Sequence, residues 1–345
     1  MGKLTYAATG VDIDNADATK KAMAGSLETK DARVLNKIGA FATLFDGKFP
    51  DYEHPVLVLK SEEPGSKQKL AFAHGRYESV CYDLVNHLIN DIIVMGAHPL
   101  SVQDVIVCGK LEKKIITRIV DGMALACREQ NCSLTGGETS EQPGVVAPGI
   151  YILTASVVGV AEKNAIIDGR LIASGDQIIA IESNGLHTNG YTLVRALLDA
   201  QPDLAELTVD GTSFLEAILK PHQCYYKGLS ELFNSEVING MAHITGGGIH
   251  DNIARVLPDR LDAKIDLSKI KIPSVFKVLH HRGQLDTTDM MRTFNMGVGL
   301  VLIVAKENVG PVKSHLESKG HHSYLIGEIE EGSKKVRFTN ELKIV

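Results

Sequence analysis

The segment Leu134-Thr-Gly-Gly-Glu-Thr-Ser-Glu-Gln-Pro-Gly144 ends an apolar run with a glycine pair and places two carboxylates, Glu138 and Glu141, directly behind it. Gly136 and Gly137 can adopt backbone angles that are closed to other residues, which lets a ligand approach the main chain. Carboxylates at such a bend can bind a hard cation or ribose hydroxyls. Taken alone, the segment also fits a strand-ending turn followed by a solvated acidic loop.

Two further turns rich in Gly and Asn, Ser183-Asn-Gly-Leu-His-Thr-Asn-Gly190 and His243-Ile-Thr-Gly-Gly-Gly248, also lie between an apolar run and a helical pattern. In the first turn, His187 could act as a general acid or base or bind a phosphoryl oxygen, or it could simply cap the helix. In the second, successive glycine amides at a helix start could bind an anion, although such turns are often only tight connections. The recurrence predicts an enzyme that handles phosphates or nucleotides. The three glycines of the second turn are Gly246, Gly247 and Gly248.

Apolar strand patterns and helical patterns alternate along the whole chain. Pro55-Val-Leu-Val-Leu59 is apolar and β-branched, as in a strand, whereas Ser79 to Met95 has apolar residues at helical spacing. This alternation predicts an α/β or α+β fold with layered sheets. A chain of 345 residues exceeds the length at which a single core usually keeps growing, so two domains are expected. We place them at residues 1–168 and 169–345, on either side of a turn at Asp168-Gly169.

Composition argues against several classes of function. The net charge of −6 and the scarcity of aromatic residues (5%, with no Trp) disfavour a nucleic-acid-binding protein. The N-terminus lacks the apolar core of a secretory signal, and the apolar stretch from Val145 to Val160 is too short and too interrupted to span a bilayer. A soluble, cytoplasmic protein is therefore expected. The five cysteines show no metal-ligand spacing, so we expect buried reduced thiols.

Two further segments contain candidate functional groups. Asn90-Asp91 lies within an apolar helix, where an ionised carboxylate is costly unless it is paired. Asp91 could bind magnesium beneath a triphosphate. Alternatively, the segment could form a buried hydrogen bond, either between Asp91 and His87, four residues earlier on the same helix face, or between Asn90 and the backbone. Ser61-Glu-Glu-Pro-Gly-Ser-Lys67 loosely resembles the end of a phosphate-binding loop without the full spacing. Alone, this second segment indicates a solvated charged turn.

Taken together in chain order, these segments resemble the aminoimidazole ribonucleotide synthetase family, also called phosphoribosylformylglycinamidine cyclo-ligases. The resemblance covers nearly the whole chain with compatible spacing. Shorter fragments would fit the wider superfamily, which includes thiamine-monophosphate kinase and selenophosphate synthetase. The matching stretches are Gly10-Val-Asp-Ile-Asp14, Pro55-Val-Leu-Val58, Asn90-Asp91, Gly96-Ala-His-Pro99, Cys108-Gly-Lys110, Gly136-Gly-Glu-Thr139, His187-Thr-Asn-Gly-Tyr-Thr-Leu-Val-Arg195, Ala242-His-Ile-Thr-Gly-Gly-Gly248, Asn252-Ile-Ala-Arg-Val-Leu-Pro258 and Arg292-Thr-Phe-Asn-Met-Gly-Val-Gly299.

The resemblance implies two α/β domains, of which the N-terminal one binds ATP and dimerises. It also implies a homodimer whose N-terminal strands pair across the interface, and ATP with Mg²⁺ as cofactors. The implied reaction phosphorylates the formyl oxygen of formylglycinamidine ribonucleotide and closes the imidazole ring in purine biosynthesis. It assigns catalytic roles to Asp91, His187 and Lys67 and metal binding to Asp91, Glu62 and Glu138. The residues expected to bind the cofactor are Asn90, Gly136, Gly137, Glu138, Glu141, Gly246, Gly247 and Gly248.

The sequence departs from the family pattern at three places in the first half, one of which is the N-terminal arm, where Ala24 stands at the position of an expected lysine. Lys60-Ser-Glu-Glu-Pro-Gly-Ser-Lys67 replaces Gly-Thr-Asp-Gly-Val-Gly-Thr-Lys, so Glu62 stands for an aspartate and Pro64 removes an amide donor. Asn36-Lys-Ile-Gly-Ala-Phe41 replaces Gly-Gly-Leu-Gly-Gly-Phe and loses three glycines. Two alternatives therefore stay open, namely a diverged ATP-dependent small-molecule kinase and a non-catalytic nucleotide-binding homologue.

Overall fold

The computed structural model of the chain describes residues 12–36 and 39–344. The first part of the segment 10–14 and residues 37 and 38 of the segment 36–41 lie outside these described residues. The chain divides into two compact units. The first contains the described residues of Met1–Ile89 with Pro99–Val160, and the second contains those of Asn90–His98 with Ala161–Val345. Both units mix helices with a β-sheet, which confirms the predicted α/β class.

The first unit is built on a four-stranded sheet in the order β1-β4-β2-β3. Strands β2 and β3 pair in parallel, and the connecting helix α4 makes the crossover that a parallel pair requires. The elements from residue 12 to residue 162 are α1 (Ile13–Met23), β1 (Pro55–Glu62), α2 (Lys67–Ala73), α3 (Tyr77–Ile93), β2 (His98–Cys108), α4 (Lys113–Glu129), β3 (Ser133–Glu141) and β4 (Tyr151–Glu162).

Helices α3 and α4 form where apolar residues recur every three to four positions. In α4 this spacing buries one stripe, which includes Ile116, Ile119, Val120 and Met123, as in an amphipathic helix. In α3 the buried set also contains polar residues such as Asp83, so this helix is enclosed on most sides. The helix predicted over residues 79–95 is therefore present with slightly earlier bounds.

The glycine pair that was expected to end a strand lies inside one. Strand β3 continues from Ser133 through to Glu141, so the predicted strand-ending bend is wrong. The register between β2 and β3 shifts between Val102 and Asp104, which is a β-bulge, and Asp104 faces Gly137. A Cβ atom at Gly137 would lie 1.8 Å from the backbone oxygen of Asp104, so this close approach of two strands requires glycine.

The second unit is built on a six-stranded sheet in the order β12-β9-β11-β5-β10-β8. Its neighbours pair antiparallel except β12 and β9, which are parallel. The elements from residue 177 onward are β5 (Gln177–Glu182), α5 (Tyr191–Ala200), β6 (Thr208–Val209), β7 (Thr212–Ser213), α6 (Phe214–Ile218), α7 (Tyr226–Leu229), β8 (Gly240–His243), α8 (Gly248–Ala254), β9 (Leu261–Asp266), α9 (Ser274–Gly283), α10 (Thr287–Thr293), β10 (Val298–Val304), α11 (Val309–Ser318), β11 (Ser323–Glu331) and β12 (Val336–Thr339).

Strand β10 is the centre of this unit. All seven of its residues are buried, which explains its continuous run of apolar side chains on both faces. On one face, Ile303 joins a hydrophobic cluster to which helix α8 contributes Ile249 and Ile253. This packing fixes the ends of β5, β8 and β10, and the loops that follow β5 and β8 contain the candidate functional residues.

The cysteines agree with the expectation of reduced thiols. All five are thiols outside any disulfide bond, and four of them, Cys81, Cys108, Cys127 and Cys132, are buried in the first unit. Burial raises the pKa of the Cys81 thiol well above its ordinary value. Within residues 12–36 and 39–344, none of the helices combines the length and apolarity that a membrane crossing requires.

Candidate functional site

Three imidazoles meet inside the second unit. His187 lies in the loop between β5 and α5, His222 lies between α6 and α7, and His243 is the last residue of β8. All three are buried, with 2%, 1% and 6% of their surface exposed. Nε2 of His222 lies 3.1 Å from Nε2 of His243, and the rings of His187 and His222 stack with centroids 3.9 Å apart. One of these residues, His187, was predicted as a site residue, and the structure gives it two histidine neighbours.

Asp91 reaches this group from the last turn of α3. Its Oδ1 lies 2.7 Å from Nδ1 of His243, and both residues belong to the second unit. A carboxylate at that distance holds the proton of His243 on Nδ1, which leaves the Nε2 lone pair directed at His222. Asp91 therefore forms a hydrogen bond with a histidine, but the partner is His243, whereas the sequence predicted His87. The role of Asp91 as a metal ligand stays a prediction.

Asn90 fastens the loop that contains His222. Its Nδ2 donates to the backbone oxygen of Gln223 at 2.8 Å, and its Oδ1 accepts from the backbone N–H of Tyr225 at 3.0 Å. The side-chain amide of Asn90 thus forms hydrogen bonds through both its nitrogen and its oxygen with the main chain that follows His222. The predicted contact between Asn90 and a cofactor remains a prediction, and the structure shows a positioning role for this side chain.

His187 has a backbone φ of 59°, in the left-handed region that non-glycine residues rarely adopt. Such strain persists only where surrounding contacts impose it. Gly299 makes room for the ring, because a Cβ atom there would lie 2.9 Å from His187 and 1.7 Å from the Tyr225 hydroxyl. The Tyr225 hydroxyl donates to the backbone oxygen of Glu182. The loop geometry therefore fixes the backbone at His187, and Gly299 leaves space for its ring.

The glycine turn after β8 is closed by hydrogen bonds within the protein. The N–H of Gly247 donates to the oxygen of Arg292, and the N–H of Gly248 donates to the oxygen of Thr245, both at 3.0 Å. The Asn252 side chain donates to the oxygens of Gly246 and Gly248. Two of the three glycine amides thus already have acceptors. The predicted cofactor contact of Gly246, Gly247 and Gly248 stays a prediction.

Lys67 lies in the first unit as the first residue of α2. Its side chain is completely buried, and its Nζ lies 2.7 Å from Oδ1 of Asp83, whose side chain is also completely buried. Burial lowers the pKa of the Lys67 ammonium, while the charge of Asp83 acts in the opposite direction. The predicted contact between Lys67 and a phosphate remains a prediction.

The predicted carboxylates of the first unit have different surroundings. Glu62, at the end of β1, lies 3.5 Å from both Lys60 Nζ and His87 Nε2. Glu138 is exposed on β3. Glu141 accepts a 2.6 Å hydrogen bond from the backbone N–H of Leu111 and so ties the end of β3 to the loop before α4. Gly136 has a φ of 117° and lies within the bulge, between Leu134 and Gly137 of β3. The proposed ligand roles of Glu62, Glu138, Glu141 and Gly136 stay predictions.

Family comparison gives the chain an assignment. Residues 56–161 match the family described as AIR synthase related protein, N-terminal domain, and residues 173–339 match its C-terminal domain. The chain belongs to the AIR synthase related family. It is similar to the phosphoribosylformylglycinamidine cyclo-ligase of Chromobacterium violaceum, with 42% identity and 95% of each chain covered. It is also 38% identical to that of Alkaliphilus oremlandii, over 97% of this chain and 99% of the relative.

Solved structures support the AIR synthase related fold at greater distance. The thiamine-monophosphate kinase from Stenotrophomonas maltophilia K279a has a TM-score of 0.65, with 17% identity and 96% of both chains covered. Hydrogenase maturation protein HypE in complex with ATP also has a TM-score of 0.65, with 15% identity, 92% of this chain and 88% of that chain. At such identities the likeness establishes the fold alone.

Sequence reasoning missed His222 in this AIR synthase related chain. It stands 21 residues before His243 and on a different loop, so no short-range spacing connects it to the other histidines. Its local signal is only a histidine after Pro221, at the start of a loop. The assembly of β5, β8 and the His222 loop in three dimensions is what brings the three imidazoles together.

Proposed function

We propose that this chain uses ATP to close the imidazole ring of aminoimidazole ribonucleotide from formylglycinamidine ribonucleotide. The observation that carries this proposal is 42% identity with a curated cyclo-ligase over 95% of both chains. In this reaction ATP phosphorylates the formyl oxygen, a nitrogen of the same substrate attacks the activated carbon, and phosphate leaves. Such chemistry depends mainly on positioning and on stabilisation of charge at the phosphoryl group.

We further propose that carboxylates of this chain hold Mg²⁺ against the triphosphate. Asp91, Glu62 and Glu138 offer the oxygen ligands that this ion prefers, and each retains some exposed surface. Mg²⁺ would supply neutralising charge at the phosphoryl oxygens. Within the second unit, His187 is the proposed phosphoryl or substrate contact. We also retain residues 1–168 as the proposed ATP-binding and dimerisation domain and residues 169–345 as its α/β partner domain, in a cytoplasmic enzyme.

An activity assay tests the reaction directly. Purified protein with ATP, Mg²⁺ and formylglycinamidine ribonucleotide should consume ATP and form a diazotisable aminoimidazole. Consumption of ATP only with another acceptor would favour the diverged kinase, for which the altered Ser61–Lys67 segment is the motivating observation. Binding of ATP without turnover would favour the non-catalytic homologue.

Replacement of Asp91 tests the assigned site. Asp91→Asn removes the charge proposed to hold Mg²⁺ and weakens the bond to His243, so ATP turnover should fall at least about 100-fold while the fold is retained. Steady-state turnover and circular dichroism measure the two effects. Asp289→Asn, on the exposed side of α10, is the matched control and should keep wild-type turnover. Wild-type turnover in Asp91→Asn would make Asp91 purely structural.

We also propose that the chain forms a homodimer through the sheet of the first unit. Successive residues of β1 alternate in exposure, and Leu57 and Leu59 are 55% and 70% exposed. Val105 on β2 and Ile152 on β4 are exposed as well. The hydroxyls of Ser61 and Ser156 lie 2.7 Å apart, which joins β1 and β4. Exposed apolar side chains on neighbouring strands are typical of a protein interface.

A further inference from the structure

The buried histidines of the second unit have the arrangement of a metal site. One nitrogen from each of His187, His222 and His243 can be chosen so that all three lie within 4.8 Å of one another. Each residue is at least nine-tenths buried, and they come from three separate loops or strand ends. A group of three imidazoles is a common ligand set for Zn²⁺ in proteins.

His222 and His243 already have the separation of two ligands on one metal. Their Nε2 atoms are 3.1 Å apart. Two nitrogens at about 2.05 Å from a tetrahedral Zn²⁺ lie roughly 3.3 Å from each other. In the metal-free protein a single proton joins these nitrogens, because one must donate and the other accept. A cation would replace that proton once both rings tilt so that their Nε2 lone pairs converge on it.

The opposite nitrogens of both rings face oxygen atoms. Nδ1 of His243 meets Oδ1 of Asp91 at 2.7 Å, and Nδ1 of His222 meets Oγ1 of Thr188 at 3.4 Å. Histidines that bind metals usually hold their second nitrogen in this way, which fixes the tautomer and ring orientation and makes the ligating nitrogen more basic. The carboxylate of Asp91 also offsets the positive charge of a cation.

His187 is the third ligand and needs the largest adjustment. Its ring is stacked on His222 with an interplanar angle of 19°, so the nitrogen lone pairs of the two rings run nearly parallel. Rotation about the Cβ–Cγ bond, a torsion with broad preferences, turns a nitrogen of His187 toward the other two. Metal binding should therefore end the stacking of these rings.

We propose that His187, His222 and His243 bind one divalent cation of the zinc class, with a fourth position open to water or a ligand. Imidazole nitrogen suits Zn²⁺, Co²⁺ and Ni²⁺, whereas Mg²⁺ prefers oxygen. The ion preference thus separates this site from the Mg²⁺ site proposed for ATP, although Asp91 takes part in both, as a proposed Mg²⁺ ligand there and as the partner of His243 here. The existence of the histidine site does not depend on the proposed cyclisation.

Titration of the chelator-treated full chain with Co²⁺ tests the proposal. One equivalent should bind with the visible absorption of four-coordinate Co²⁺, Zn²⁺ should displace it, and a large excess of Mg²⁺ should not. His222→Ala should abolish this spectrum, and Asp91→Asn should weaken binding about 10–100-fold through the second nitrogen of His243. His322→Ala, which removes an exposed histidine bonded to Glu317, is the control and should bind as wild type.

Two further measurements keep the test independent of folding and of catalysis. His222→Gln retains a hydrogen-bonding side chain. If the circular dichroism of this variant without metal equals that of the wild type, its loss of metal binding reflects the loss of a ligand and not unfolding. X-ray absorption of the wild-type Zn²⁺ complex should report three imidazole ligands. Absence of saturable binding at one equivalent, or a spectrum unchanged in both His222 variants, would overturn the site. Neither readout requires ATP turnover, so failure of the proposed reaction would leave this result intact.

Discussion

Lys67 and Asp83 form an ion pair whose side chains are completely buried in the first unit. Removal of one member of a buried pair leaves the other charge without its counter-ion, which typically costs about 3–5 kcal/mol. Lys67→Met should therefore lower the free energy of unfolding by about that amount, as measured by urea denaturation. Lys69→Met, two positions later on the exposed side of α2, is the matched control and should change stability by less than about 0.5 kcal/mol. Equal stability of both variants would contradict the importance of the pair.

Asp104 is a buried carboxyl on β2, and burial raises its pKa to about 7. The folded protein therefore binds this proton more tightly than the unfolded chain, whose carboxyl has the ordinary pKa of 3.8. The stabilising contribution of Asp104 is complete below about pH 4 and is lost as the pH rises to about 7. Relative to Asp104→Asn, wild-type unfolding free energy should fall by up to about 1.4 kcal/mol per pH unit in that window.

Urea denaturation of both proteins at pH 5, 7 and 8 measures this difference. Asn has nearly the same shape as Asp and cannot ionise. The unfolding free energy of the variant should therefore rise relative to that of the wild type between pH 5 and 7, and the difference should change little between pH 7 and 8. Parallel stability profiles for the two proteins would show that Asp104 keeps an ordinary pKa in the folded state.

Single residues also show where sequence reasoning about the site succeeds and where it fails. Asp91 and His187 were recognised from residue type and local pattern, and the structure places both in the neighbourhood of His243. His222 was missed, since its partners are fixed by tertiary packing. Glu141 was recognised as an acidic residue beside glycines, but its hydrogen bond to Leu111 depends on a loop 30 residues away.

At the scale of secondary structure, the bulge between β2 and β3 requires a glycine at position 137. Gly137→Ala places a methyl group against the backbone oxygen of Asp104, which cannot move without breaking the strand pair. Stability should fall by at least about 1–3 kcal/mol. Thermal unfolding measures the loss. Gly310→Ala in α11 has open space around the added methyl and should be neutral or stabilising, so similar losses in both variants would contradict the explanation.

Periodicity predicted the long elements better than the short ones. The helical spacing over residues 79–95 predicts nearly the observed bounds of helix α3, Tyr77–Ile93, because this helix buries a long apolar pattern. Helix α7 has only four residues, Tyr226–Leu229, before a 3₁₀ turn at Ser230–Leu232, which is too short for a helical period to show in the sequence. Short strands such as Val336–Thr339 gain their stability from neighbours, so four residues contain too little signal.

For the whole molecule, the proposed homodimer predicts a change of assembly state. Leu59→Glu puts a charge into the exposed apolar face of the first sheet and should convert a dimer to a monomer. Light scattering after gel filtration measures the mass. Leu125→Glu alters an exposed apolar residue on α4 instead and should leave the mass unchanged. An unchanged mass in both variants would exclude this face as the interface.

The global organisation was predictable only in outline. Alternating strand and helix patterns gave the α/β class, and the length of 345 residues gave two domains. The assignment of Asn90–His98 to the second unit depends on long-range contacts, such as those of Asn90 with the loop after His222, and could not be inferred from local pattern. The boundary between residues 168 and 169 stays a prediction.

The uneven distribution of cysteines gives the protein an internal reporter of local opening. Four thiols are buried in the first unit and only Cys224 lies in the second. A thiol-selective reagent attacks the thiolate, so a buried thiol with a raised pKa resists modification until its surroundings open. The modification rates of the four buried thiols in the native protein therefore report local opening of the first unit. The second unit contributes only the Cys224 thiol to the signal.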